Sequence, residues 1–295
     1  MKIKVKFDYI NIKMSKIIVT GGAGFIGSNL IKELKRLGHD ITSIDDYSTG
    51  SKCNEIKGVN YINIDILKIN EVTENFDLCF HLAAKSSIQP SFDMASDYFH
   101  VNVKGTLKVL SWANEKKIKV IYAGSSSRHL NPSNSPYAMF KYLGEEICKL
   151  YKNVYSLDVE IARFYNVYGP NQSLDEINGN VIGIWLAKIN NESALPIVGS
   201  GDQKRDFIHV FDLVDGIIKI GFSDEKHPDA WELGTGVNYS INELFKMFQD
   251  KFNCKSVYIP DQKGNPKKTL RENDDMLSKL NWCPKDRLKN YIKQI

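Results

Sequence analysis

The sequence predicts a doubly wound α/β protein, a parallel sheet with helices on both faces, joined to a smaller mixed lobe. Three observations carry this. Short apolar, β-branched runs alternate with amphipathic helical segments from about residue 14 to residue 169. A cluster of glycines, "TGGAGFIG", falls between the first strand and the first helix. After Gly169 the alternation stops, and helices, strands and loops follow without a regular period.

Lys16 to Thr20 is a buried strand. Ile26, Leu30, Ile31 and Leu34 then recur at helical spacing, and the helix ends at Gly38. "DITSID" is the second strand, "VNYINID" the third and "FDLCFHLAA" the fourth. "SDYFHVNVKGTLKVLSWANEKK" reads as one long helix. "IKVIYAGSS" is the fifth strand, "YAMFKYLGEEICKLYKNVY" the next helix, and "DVEIARFYNVYG" a sixth strand with its loop. Residues 14–169 are thus expected to form a dinucleotide-binding domain. Residues 170–295 are expected to form a substrate lobe whose later segments can return to the sheet. Residues 1–13 read as an extension ahead of Met14.

The bulk properties suit a soluble enzyme of 295 residues, with 42% hydrophobic and 25% charged residues. A net charge of +4 without a dense Lys/Arg block gives no case for nucleic acid. Five widely spaced cysteines with no C-x-x-C pair point to a reducing cytoplasm and no metal site. No apolar run is long enough to span a membrane.

Gly22, Gly24 and Gly27 fit G-x-G-x-x-G, and Gly21 precedes them. Such a turn lets the backbone approach a pyrophosphate held at the helix N-terminus. An acid should follow at the end of the second strand. Asp45 lies 18 residues beyond Gly27, with Asp46 beside it. A carboxylate there binds both ribose hydroxyls and repels a 2′-phosphate, which favours NAD over NADP.

Tyr137 and Lys141 share one helix face just after Pro136, and Ser125 and Ser126 end the preceding strand. A neighbouring cation lowers the pKa of an acid. Lys141 is therefore expected to turn the Tyr137 phenol into a base for a sugar hydroxyl, with Ser125 or Ser126 bonding the same oxygen.

These stretches resemble the extended short-chain dehydrogenase/reductase family, and within it the NAD-dependent nucleotide-sugar epimerases and dehydratases. "TGGAGFIGSNL", "HLAA", "NVKGTLKVL", "SPYAMFKYLGEE", "ARFYNVYGP", "QKRDFIHVFDLV" and "LNWCP" match its motifs in order, from about Lys16 to Pro284. The resemblance implies a Rossmann domain and a C4 inversion through a transient 4-keto sugar. It also implies roles. Phe25 and Ile26 would line the pyrophosphate turn. Asp65 and Ile66 would flank the adenine. Leu82, Ala83 and Ala84 would bound the cofactor cleft. Asn102 would tether the loop after the fourth strand. Lys85, Tyr165, Asn166, Asn180, Val181 and Arg205 would reach the nucleotide sugar, with Arg205 on its diphosphate. A homodimer through two aromatic-rich helices is also implied.

Three departures stand out. The family's Tyr-Gly pair after the catalytic hydroxyl is missing from "SSSRHLNP", where Arg128 and His129 stand as substitutes. The Asp-Glu pair of 4,6-dehydratases is replaced by Ser126 and Ser127, which argues against dehydration. The late R-x-G-D segment reads "QKGN", leaving Lys263 as the stand-in cation. The expected function is a nucleotide-sugar epimerase. The rivals are a dehydratase, decarboxylase or reductase of the same fold, and a non-catalytic NAD sensor or scaffold. His81 and His209 read as structural, and His39, His100 and His227 as surface residues.

Overall fold

The computed structural model describes residues 13–177 and 179–295. Residues 1–12 of the N-terminal extension read over residues 1–13 lie outside them.

In chain order the elements are β1 (Lys16–Thr20), α1 (Phe25–Arg36), β2 (Asp40–Asp45), β3 (Asn60–Asn63) and β4 (Leu78–His81). Then come α2 (Pro90–Asp93), α3 (Ala95–Phe99), a π-turn (His100–Gly105), α4 (Thr106–Lys116), β5 (Lys119–Ser125), α5 (Pro136–Val154), β6 (Val159–Phe164) and β7 (Asn166–Tyr168). The rest comprises α6 (Val181–Asn190), β8 (Leu195–Val198), β9 (Lys204–His209), α7 (Val210–Phe222), β10 (Trp231–Leu233), β11 (Asn238–Ser240), α8 (Ile241–Phe252), β12 (Ser256–Ile259), α9 (Asp275–Lys279) and α10 (Leu288–Gln294).

Seven parallel strands form the main sheet in the order β10-β6-β5-β4-β1-β2-β3. Side chains alternate across a strand, so consecutive apolar residues serve opposite cores. Ile17 and Val19 pack with Leu30, Leu34 and, from α7, Leu213 and Ile217. Ile18 packs on the other side with Val109, Leu110, Trp112 and Val120. The order reverses direction between β1 and β4, which opens a crevice at their carboxyl ends. Gly21, φ +74°, lies in that crevice, where an added Cβ would sit 2.8 Å from the amide nitrogen of Ala83.

A third core holds the smaller lobe around Trp185, Ile197, Phe207, Leu244 and Phe248. Its sheets are short: β11-β9-β7 and β12-β8. β10 comes from late in the chain and joins the edge of the main sheet beside β6.

The segment read as one helix is helical throughout, with α3, the π-turn and α4 contiguous. The π-turn within it places Asn102 inward and Gly105 against Ile66, where a Cβ would come within 2.8 Å of Cγ2. One expectation is corrected. His39 and His227 are buried, not on the surface. His39 stacks on Phe222 at 4.8 Å, and the His227 Nε2 bonds Asp275 at 2.8 Å.

Candidate active site

The order β5-β4-β1-β2 lines up four strand ends on one edge: Ser125, Leu82–Ala84, the glycine turn and Asp45. The turn is shaped to take a phosphate. An added Cβ on Gly27 would lie 2.1 Å from the Gly21 carbonyl oxygen, so only glycine lets α1 start this close to β1. The cap residue of α1 is Gly24, which makes no side-chain cap bond, and the first turn carries no acid. Its amide groups and dipole therefore face the crevice with no side chain competing for them. Phe25 and Ile26 sit just behind, packed on the main core.

Asp45 is buried and Asp46 exposed. Asp45 accepts the amide of Ala23 at Oδ2 (2.9 Å) and that of Tyr47 at Oδ1 (2.8 Å), so it braces the glycine turn from β2. Burial holds its pKa above the usual carboxylate value, partly offset by those amides. Asp46 instead caps Ser48. Asp65 caps the 3-10 turn it precedes, and the Ile66 side chain is in the core.

Asn102 holds both polar groups of the Lys85 backbone. Its Oδ1 accepts the Lys85 amide and its Nδ2 donates to the Lys85 carbonyl, each at 2.9 Å. The same loop is tied by a directed chain. The Thr106 hydroxyl donates to the Asn102 carbonyl (2.8 Å), so it must accept from His81 Nε2 (3.2 Å). His81 Nδ1 then accepts from the Thr20 hydroxyl (2.8 Å), which itself accepts the Ala83 amide (3.2 Å). Burial pushes His81 down to about 3, so it stays neutral in this chain.

Tyr137 and Ser125 meet hydroxyl to hydroxyl at 3.3 Å. Ser125 Oγ also accepts the Ser127 amide at 3.1 Å, which leaves its own proton to donate. Ser126 follows in a 3-10 turn and no bond links it to Tyr137. Helix α5 starts at this point because Ser135 caps Ala138 (3.1 Å), Pro136 presets the first turn, and Ser91 Oγ accepts the Tyr137 amide (3.2 Å). Lys141 is buried one turn on. Its ammonium donates to the Ala123 carbonyl at 2.9 Å, and burial lowers its pKa to about 8. The expectation that Lys141 would make Tyr137 acidic is not met as the side chains stand. Burial raises the phenol above its ordinary value, Ser125 pulls it partly back, and Glu145 raises it again.

Behind Ser125 lies a charged network that sequence reasoning missed. Arg163 in β6 donates to Glu145 of α5 from Nη2 (Oε2, 2.8 Å) and Nε (Oε2, 3.0 Å; Oε1, 3.2 Å) and also meets Glu232 of β10 (2.9 Å) and Asp229 (2.8 Å). The Glu145 carboxylate fits because Gly124 has no Cβ, which would stand 2.7 Å from Oε1. Two signals pointed here: Glu145 repeats the spacing of Tyr137 and Lys141, and single charges interrupt the apolar strands "VEIARF" and "WEL".

The other expected substrate residues are placed as follows. Arg205 is buried, bonded to Asn265 Oδ1 (2.5 Å) and the Lys204 carbonyl (2.9 Å), and burial lowers it to about 10. It does not pair with Asp206, whose carboxylate accepts the amides of Thr235, Gly236 and Arg271. Gln89 donates to the Lys263 carbonyl (2.9 Å), and Gly264 packs on Ile88 and Ser135, so the segment carrying Asn265 borders the start of α5. Tyr165 gives its hydroxyl to Glu232 (2.9 Å). Asn166 ties the Asp206 carbonyl to Thr269, and Asn180 caps α6 ahead of Val181 while donating to Val167. Arg128 commits its guanidinium to Glu146 (2.9 Å) and the Tyr142 ring (4.1 Å).

A glycine turn at a switch point, an acid on the next strand and a Ser-Tyr-Lys group on one sheet edge are now joined by a comparison. The profile of the NAD dependent epimerase/dehydratase family matches residues 17–234. The chain belongs to this family. A UDP-glucose 4-epimerase of Mycolicibacterium smegmatis is 28% identical over 295 residues, covering 91% of this chain and 93% of that protein. UDP-glucuronic acid decarboxylase 4 of Arabidopsis thaliana is 27% identical, covering 95% of this chain and 67% of its own length. Among solved structures, the UDP-N-acetylglucosamine 4-epimerase of Methanobrevibacter ruminantium M1, in complex with UDP-N-acetylmuramic acid, has a TM-score of 0.88 at 28% identity. It covers 96% of this chain and 97% of that one. The cofactor of this family is NAD, and the uncapped turn, the braced Asp45 and the tethered loop fit a dinucleotide.

Proposed function

We propose that this protein is an NAD-dependent 4-epimerase of a nucleotide-diphosphate sugar, with a uridine diphosphate sugar as its substrate. The observation that carries the reading is the 3.3 Å contact between Tyr137 and Ser125, with Lys141 behind it, on the edge that holds the dinucleotide turn. Gly21, Gly24, Gly27 and Asp45 would hold NAD. When bound, it supplies a hydride acceptor that later returns the hydride, and the positive charge of its oxidised ring.

The chain's own groups manage the proton. Ser125 directs its free hydroxyl proton to a sugar oxygen. Tyr137 first loses its own proton to solvent, with the positive charge of Lys141 and of the cofactor ring near it. As a phenolate it takes the proton of the C4 hydroxyl and gives it back after the sugar has turned. Lys141 is the cation placed to stabilise the phenolate once substrate draws it from Ala123. Arg205, buried beside Asn265, has the planar fork that suits a diphosphate.

Inversion is favoured over elimination of water. The two positions after Ser125 carry hydroxyls, and the carboxylates facing this loop, Glu145 and Glu232, are bound to Arg163. We also propose a cytoplasmic homodimer through the two aromatic-rich helical segments, where Leu107 of α4 and Leu150 and Val154 of α5 are exposed apolar residues.

The test is to incubate the purified protein with UDP-glucose, UDP-N-acetylglucosamine and UDP-glucuronic acid and to follow the sugar by NMR. An equilibrium of C4 epimers with no net NADH supports the reading. Carbon dioxide release, or a 4-keto-6-deoxy product, would replace it with decarboxylation or dehydration.

A further inference from the structure

The loop after Ser125 is short, and two adjacent residues pin it in opposite directions. Arg128 reaches α5. His129 reaches across the sheet edge to β10, where its Nε2 meets Glu232 Oε1 at 3.0 Å. The same Glu232 accepts the Tyr165 hydroxyl at Oε2 (2.9 Å) and Arg163 at Oε1 (2.9 Å). Arg163 continues to Glu145, whose Oε1 lies 3.4 Å from the Ser125 amide. A continuous polar path therefore runs from His129 to the backbone of the serine that touches Tyr137.

Glu232 needs this second cation. It is buried, and Arg163 is shared among three carboxylates: Glu145, Asp229 and Glu232. A buried carboxylate with a third of a guanidinium is undercompensated, and an imidazolium corrects that.

We propose that His129 and Glu232 are positioning residues: their ion pair clasps the loop behind Ser125 onto β10 and keeps Ser125 and Tyr165 in one alignment. The proposal rests on the epimerase reading for its catalytic consequence and on geometry alone for the clasp itself. The charged and titratable groups facing His129 are Glu232, Arg163 and Glu145, with Arg128 beside it in the chain. The bond to Glu232 raises the imidazole above its ordinary value, against burial and the Arg163 charge. Its sign is fixed: the clasp is complete below the ordinary histidine pKa of about 6.5 and opens as pH rises through the raised value.

Two variants and one titration test it. In the wild type, kcat/KM for the C4 inversion should decline as pH rises through the raised His129 pKa, above about 6.5. His129→Gln should be slower on the order of tenfold near pH 6, and that decline should vanish. His129→Arg, a permanent cation, should hold the wild-type rate and also lose the decline. A His129→Gln enzyme with the wild-type rate and profile overturns the proposal. Histidine NMR provides the independent readout. The His129 resonance, assigned by its loss in His129→Gln, should titrate above about 6.5 and fall back toward that value in Glu232→Gln. An ordinary titration in the wild type overturns the clasp. Should no nucleotide sugar be turned over, the functional reading fails, while the titration still decides the ion pair.

Discussion

Lys141 donates its ammonium to the carbonyl of Ala123 at 2.9 Å, holding the end of the strand that presents Ser125. This lysine is buried, and its pKa is lowered to about 8. The same residue thus anchors the sheet edge and, in the proposed mechanism, supplies the cation for Tyr137.

That burial has a consequence for stability. An unfolded lysine keeps its proton to about 10.4. Between about pH 8 and pH 10 the unfolded chain therefore binds the extra proton, and the folded state should gain stability from this residue as pH rises. Lys141→Met removes the effect. The difference in Tm between wild type and variant should shift in favour of the wild type from about pH 7 to about pH 9.5. A difference that stays constant would show that Lys141 is not destabilised by burial.

Asp45 braces the glycine turn through Ala23, while Asp46 points to solvent and caps Ser48. Hydrogen bonds to a charged group contribute about 1.5–3 kcal/mol. Asp45→Ala should weaken NAD binding roughly 10- to 100-fold by calorimetry, and Asp46→Ala by less than about threefold. The reverse order would assign the ribose to Asp46.

Arg205 is buried without a carboxylate partner among the described residues. Arg205→Met should raise KM for the nucleotide sugar roughly 10- to 100-fold, with a smaller change in kcat, because a diphosphate is bound alike in ground and transition states. Arg205→Lys should recover part of the loss, since a point charge replaces a planar fork. An unchanged KM in both would remove Arg205 from the diphosphate site.

Arg163 serves three carboxylates inside the fold. Removing one partner of a buried ion pair typically costs about 3–5 kcal/mol. Arg163→Met should lose stability on that scale in denaturant unfolding. A loss below about 1 kcal/mol would mean that water reaches the network and screens it.

Much of the fold was legible because the inner strands of the main sheet are buried on both faces and read as mostly apolar runs, the edge strand β3 being the exception. The glycine turn, Asp45 and the Tyr137–Lys141 spacing were legible for a similar reason, as local geometry demands those residues at those separations. The π-turn was not, because its cause is tertiary: Asn102 must face the Lys85 backbone, and Gly105 must clear Ile66. The buried placement of His39 and His227 depends on Phe222 and Asp275, far away in the chain. The Arg163 network joins α5, β6 and β10, three segments that only the strand order brings together. That Ser125 rather than Ser126 meets Tyr137 likewise follows only from the folded strand end, since one residue along it reverses which way a side chain faces.

The most direct test of the account is Tyr137→Phe, assayed for interconversion of UDP-glucose and its C4 epimer with NAD content measured in the same sample. The account predicts a rate lower by about 10²- to 10⁴-fold, with NAD still bound. A variant that inverts C4 at the wild-type rate would contradict it.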